Sequence, residues 1–162
     1  MKRHRSLHPL SEHHHHALVQ ALQIRRAAGA PTGKRAAALR AAARNLVRFW
    51  KKSGRRHFRG EEEVLLPALA RRARLEENPA VMLMLAQHAV IRARMDDLER
   101  ALAARNSVEA EVQALGQLLH DHIRLEENEI FPAIEAALSE DELRALAPRI
   151  TRLHATLGRQ RR

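Results

Sequence analysis

HFRGEEEVLLPAL (57–69) and HIRLEENEIFPAI (122–134) are two copies of one pattern. Aligned at their histidines they share His, Arg, two Glu, Pro and Ala, six identities in 13 positions. Each copy carries a glutamate four residues after its histidine, Glu61 and Glu126, and a proline ten after it, Pro67 and Pro132. Residues i and i+4 stand one above the other on a helix. His57 with Glu61, and His122 with Glu126, can therefore direct an imidazole nitrogen and a carboxylate at one point. That donor pair suits iron, manganese or zinc. A kink is expected at each proline, which lacks the backbone N–H a helix interior needs.

Working outward, the rest of the chain also reads as helix. Alanine occurs 29 times against six glycines and six prolines, and no window alternates with the period of a strand. Ser11 is a candidate N-cap for a first helix to about Ala28, and Gly29–Gly33 is a turn. A long second helix runs from about Lys34 toward or past Pro67. Asn78-Pro79 opens a third, to about Arg105. Asn106-Ser107 can cap a fourth, ending near Ala137. Ser139-Glu140-Asp141-Glu142 has the signature of one more short helix. The expectation is a single all-α domain over residues 1–162. It is an up-down-up-down four-helix bundle over about 10–137, with a short extra helix and basic tail over 139–162.

The two other long helices each offer a histidine. Val81, Met84, Leu85, Ile91 and Met95 surround His88 at helical spacing, so it faces the core. The first helix has four consecutive histidines, His13 to His16. Successive residues turn about 100°, so at most two reach one cluster. Set against the His88 segment, His15 fits best. His14 is the close alternative, with Leu10 four residues before it and Leu18 four after. Four histidines and two glutamates converging in a bundle could hold two metal ions bridged by the carboxylates.

PLSEHHHHALV (9–19), HFRGEEEVLLP (57–67), QHAVIR (87–92) and HIRLEENEIFP (122–132) together resemble the hemerythrin-like (HHE cation-binding) proteins. The resemblance implies a non-haem centre of two irons with an oxo- or hydroxo-bridge, although manganese or zinc would suit the same donors. It implies O2 or a related diatomic as ligand, and roles in carriage, sensing or iron handling. Carried onto this chain, the ligands are His15 (or His14), His57, Glu61, His88, His122 and Glu126. In the invertebrate oxygen carriers the third helix supplies two histidines one turn apart. Here the positions four after and four before His88 are Arg92 and Met84, so a fifth histidine must come from the first helix or is missing. Those carriers also place the last carboxylate five residues after its histidine, at Glu127. Glu126 is preferred because it repeats the Glu61 spacing.

Other residues are assigned supporting parts. Glu62, Glu63 and Glu127 are expected to face solvent or accept hydrogen bonds from ligand histidines. Arg59 and Arg124 are expected to pair with surface acids, and Trp50 to pack near the site. Ser53 and Gly54, small and one turn before His57, are expected to relieve crowding there, the alternative being room for a diatomic ligand. Peroxide- or NO-consuming redox chemistry is the alternative function. It would want a proton donor, and with no tyrosine in the chain only Glu129 is a candidate. A binding protein is therefore preferred to an enzyme.

Composition sets the remaining bounds. No apolar run reaches the ~18–20 residues of a membrane span, and no apolar stretch follows the basic residues 1–5, so neither a membrane nor a secretory leader is expected. The lack of cysteine removes thiolate chemistry and suits a cytoplasmic protein. Net charge is +10. Arg40, Arg44, Arg48, Lys52 and Arg56 recur every four residues as a stripe that could neutralise phosphates. Such stripes are usually solvated helix faces, and nucleic acid is not the expected partner. No protein partner can be read from the sequence.

Overall fold

Good helix formers separated by few breakers yield five helices among the described residues. The computed structural model describes residues 3–155. We label α1 (His8–Ala28), α2 (residues 32–69), α3 (Pro79–Ala103), α4 (residues 109–137) and α5 (Glu140–Ala155). Among the described residues there is no strand. α1 packs against α2 and α4, and α3 packs against the same two, so α1 and α3 are diagonal in an up-down-up-down bundle. Among these residues no helix is long and apolar enough to cross a membrane.

Two expected caps are as the sequence suggests. Asn78 Oδ1 accepts from the Ala80 and Val81 N–H groups at 3.1 and 3.2 Å. Ser139 and Glu142 form a reciprocal capping box, Glu142 N–H to Ser139 Oγ at 3.3 Å and Ser139 N–H to Glu142 Oε2 at 2.9 Å. Two others differ. α1 begins at His8, three residues before Ser11, because a 3₁₀ turn (Arg5–Leu7) leads in and Pro9 fits the first turn. Ser11 instead donates to Glu127 Oε1 at 2.8 Å. At the other boundary Arg105 is left-handed, φ 60°. The Asn106 N–H closes the end of α3 on the Ala101 carbonyl at 2.9 Å, and the Arg105 N–H meets Leu102 at 3.3 Å. Asn106 thus terminates α3 rather than capping α4, whose entry is held by Glu109 accepting from the Val108 N–H at 2.9 Å.

The repeated prolines are accommodated by repeated π-turns. In α2 the turn spans Glu61–Leu65, and in α4 it spans Glu126–Ile130. The Leu66 N–H reaches back five residues to Glu61, and the Phe131 N–H to Glu126. Pro67 and Pro132 then fall in the first turn of a fresh α-segment, where no donor is needed. A third π-turn spans Trp50–Gly54. There a Cβ on Gly54 would lie 2.3 Å from Trp50 Cε3, so the indole occupies the space that glycine leaves.

The apolar core falls into two clusters. One gathers Leu7, Leu10, Leu65, Leu69, Met84, Phe131 and Ile134 with Leu143, Leu146 and Ile150 of α5. The other gathers Ala17, Leu46, Trp50, Phe58, Ile91, Met95, Leu119 and Ile123. On every bundle helix the polar residues of interest lie where one cluster gives way to the other: His14 between Leu10 and Ala17, and His88 between Met84 and Ile91. A polar layer therefore divides the core.

Candidate metal centre

That layer consists of His14, His57, Glu61, His88, His122 and Glu126, all at least 93% buried, with exposures from 0 to 7%. Their donor atoms form two groups within 4.8 Å: His14, His57, Glu61 and Glu126, and then His88, His122 and Glu126. Glu126 belongs to both. Its Oε2 is 2.9 Å from His14 Nε2, and its Oε1 is 3.0 Å from His122 Nε2 and 3.4 Å from His88 Nε2. Glu61 Oε1 is 3.2 Å from His57 Nε2, and its Oε2 is 3.4 Å from His88 Nε2. His14 Nε2 and His57 Nε2 face each other at 2.8 Å.

Glu61 Oε1 and Oε2, Glu126 Oε2 and His122 Nε2 are buried without a hydrogen-bond partner. They lie within ion-pair range of neighbouring groups but are not aligned as donor–acceptor pairs. Buried polar atoms are normally satisfied. Several such atoms turned toward common points fit a cation held between them, and imidazole with carboxylate is a donor set that divalent transition metals accept.

The backs of the imidazoles are held by a second layer of partners. Glu127 Oε1 is 2.6 Å from His14 Nδ1, and Glu62 Oε1 is 2.7 Å from His88 Nδ1. Each of these glutamates is tied to an arginine at 2.8 Å, Arg3 to Glu127 and Arg92 to Glu62. Each arginine also lies over a phenylalanine ring, Arg3 over Phe131 at 5.1 Å and Arg92 over Phe58 at 5.3 Å. Each ring is stacked on the corresponding histidine, Phe131 on His14 and Phe58 on His88. The two halves thus repeat a His–Glu–Arg–Phe arrangement. His122 Nδ1 has Gln87 Oε1 at 3.0 Å, and fixing one ring nitrogen turns the other inward.

Electrostatics follow from this packing. Burial alone would lower the His14 pKa, but the carboxylates of Glu126, Glu127 and Glu61 raise it well above its ordinary value. His88 is likewise disfavoured as a cation by burial, yet Glu126 and Glu61 push it up to about 10. Burial would raise both inner carboxyls, and the facing histidines hold Glu61 and Glu126 below the usual range. For Glu127 burial is outweighed by His14, Arg3 and Ser11, which bring it to about 2.

A cavity of about 20 Å³ adjoins the layer, bounded by His13, His14, Trp50, Gly54, His57, Phe58, Met95 and Glu126 among others. It has room for one molecule of about the size of water. Apart from His122 of the layer itself, its other walls are apolar.

Of the sequence candidates, the structure brings together His14, His57, Glu61, His88, His122 and Glu126. It does not bring in His15, which is exposed. One residue along the helix turns His15 about 100° away from the core. Glu127 approaches His14 from behind and is not in either inner group. Glu129, the candidate proton donor, is exposed. It lies within the π-turn Glu126–Ile130, which breaks the seven-residue periodicity from His122 that would have aimed it inward. Glu63 pairs with Arg59 at the surface. Arg3, Gln87 and the partnership of Glu62 with Arg92 were not picked out from sequence. The signal available for Gln87 was its place beside His88, matching His13 beside His14.

A model of the hemerythrin HHE cation-binding domain matches residues 6–134. No curated protein and no solved structure matches the chain.

Proposed function

Since the chain belongs to the hemerythrin HHE cation-binding family, we propose that its polar layer holds two iron ions and that the centre binds or senses O2 or a related small molecule. His14, His57, Glu61 and Glu126 would hold one ion, and His88, His122 and Glu126 the other. The observation that carries this reading is the sharing of Glu126 between two buried donor groups. Such a pair, when bound, supplies reversible ligand binding and one-electron chemistry at an otherwise apolar site. The chain's own contribution is to orient and to exclude. Glu127, Glu62 and Gln87 fix the Nδ1 side of three imidazoles and so aim each Nε2 inward. Trp50, Phe58 and Met95 keep bulk water from the adjoining cavity, which is sized for a small ligand. Manganese and zinc remain chemically compatible with the donors. The exposure of Glu129 supports binding or sensing over peroxide turnover.

Elemental analysis and an ultraviolet–visible spectrum of the untagged protein, purified in air, test the proposal. The expected outcome is about two irons per chain with near-ultraviolet charge-transfer bands, an expectation set by the donor chemistry. His57→Ala and His122→Ala should each lose most of the metal. A protein without metal that takes up no ferrous iron under anaerobic conditions would make the layer structural.

A further inference from the structure

Charge is distributed very unevenly along this chain. Residues 1–60 hold 15 Lys+Arg and a single acid, Glu12, a balance of 15 − 1 = +14. Residues 61–162 hold 14 Lys+Arg and 18 acids, a balance of 14 − 18 = −4. The positive part builds α1 and most of α2, which pack side by side.

Apart from Arg56, which donates to the Lys52 carbonyl, the structure sorts the cations of the α2 stripe and its surroundings into two sets. Those flanking α3 are engaged. Lys51 pairs with Glu99, Arg55 with Asp96 at 3.0 Å, and Arg40 donates to the Leu102 and Asn106 carbonyls. The other set is exposed and has no carboxylate partner among the described residues: Arg25 and Arg26 of α1, and Lys34, Arg44, Arg48 and Lys52 of α2. Lys34 to Lys52 spans about 27 Å at 1.5 Å per residue. Arg26 stands at the Lys34 end, across the short Gly29–Pro31 connection, whereas Arg25 lines the groove between α1 and α4. A row of unneutralised cations of that length matches about eight base pairs of a duplex, at 3.4 Å per pair.

What the face lacks decides which polyanion it fits. The large exposed hydrophobics among the described residues are Met82, Leu83 and Val90, all on α3 and none on α1 or α2. A helix that lies in a membrane interface buries an apolar face beside its cations. Trp50, Phe58 and Phe131 are buried, and Phe49 packs against the core, which leaves no phenylalanine or tryptophan ring as a stacking platform for single-stranded bases; the exposed rings on α1 are the imidazoles of His15 and His16. We propose that the outward face of α1 and α2 docks on the phosphate backbone of duplex nucleic acid, without sequence preference. This is independent of the metal assignment.

The test is fluorescence anisotropy of the untagged full chain with a labelled random duplex of roughly 20 base pairs, over about 50 to 200 mM salt. With five phosphates engaged, affinity should fall roughly 500-fold across that range. Arg44→Gln/Arg48→Gln/Lys52→Gln should bind at least ~10-fold more weakly at the lowest salt, with a salt slope shallower by about three. Arg71→Gln/Arg144→Gln/Arg149→Gln removes the same charge elsewhere and should bind within about threefold of the parent. Unchanged far-ultraviolet circular dichroism certifies that both variants fold. Equal losses in the two variants would reduce the effect to net charge and overturn the proposal. So would no binding at about 50 mM salt, tighter binding to the single strand, or binding to phosphatidylglycerol vesicles without binding to the duplex.

Discussion

His14 and His15 are neighbours in sequence and opposites in the fold, and the contrast between them gives a direct assay. His14→Ala should remove one of the two proposed ions, whereas His15→Ala should leave metal content and spectrum unchanged. Metal analysis of the two variants side by side checks this, and a loss in His15→Ala alone would return the site to His15, the first of the two sequence candidates. The sequence favours His15, with His14 as the close alternative, for a definable reason. Apolar residues bracket both histidines, and Leu18 and Leu22 around His15 can be laid over Ile91 and Met95 around His88. The match the structure makes is tighter. Leu10 lies four before His14 as Met84 lies four before His88, and Ala17 lies three after His14 as Ile91 lies three after His88. It sets His13-His14 against Gln87-His88. The other five inner residues were legible because His-x-x-x-Glu, twice, and a histidine on an apolar stripe are local patterns. Arg3 was not legible, since its partners Glu127 and Glu135 lie more than 120 residues away.

At the scale of the element, helices could be read from composition but their π-turns could not. A π-turn inserts one residue into a 3.6-residue period, and no residue type announces it except the proline that follows. The repeat of Pro67 and Pro132 was the available sign, and it pointed to a kink rather than to the wider turn. The third π-turn, Trp50–Gly54, depends on a close approach. Placing a Cβ 2.3 Å from the indole forces a rigid ring to move, so Gly54→Ala should destabilise the protein by about 1–3 kcal/mol. Trp50 is the sole tryptophan, so its fluorescence reports the displacement without labelling. Unchanged emission and an unchanged melting temperature would mean that the turn gives way without disturbing the ring.

For the molecule as a whole, the polar layer sets how stability depends on pH once metal is removed. His88 is raised to about 10, against an ordinary value near 6.5. Its contribution is complete below about 6.5 and is lost as pH rises through about 10. Glu61 and Glu126 are depressed. Their contribution is complete above about 4.5 and is lost as pH falls through their lowered values. Chelator-treated protein should therefore melt highest between about pH 4.5 and 6.5 and progressively lower toward pH 10. Metal-loaded protein should not show the alkaline decline, because ions then take the place of protons on Nε2. Thermal melts of both forms across pH check this, and a metal-free melting temperature that rises above neutrality would contradict it. The way the histidines are supported has a wider consequence. The connection over residues 70–78 separates two helical hairpins, and the carboxylate behind the lone histidine of each comes from the other: Glu62 serves His88, and Glu127 serves His14. Neither hairpin can orient its own lone imidazole. Residues 1–74 carry 18 Lys+Arg and 4 acids, and residues 75–162 carry 11 and 15. The chain is in effect a covalently tethered heterodimer of oppositely charged halves, whose shared layer of donor groups is complete only on assembly.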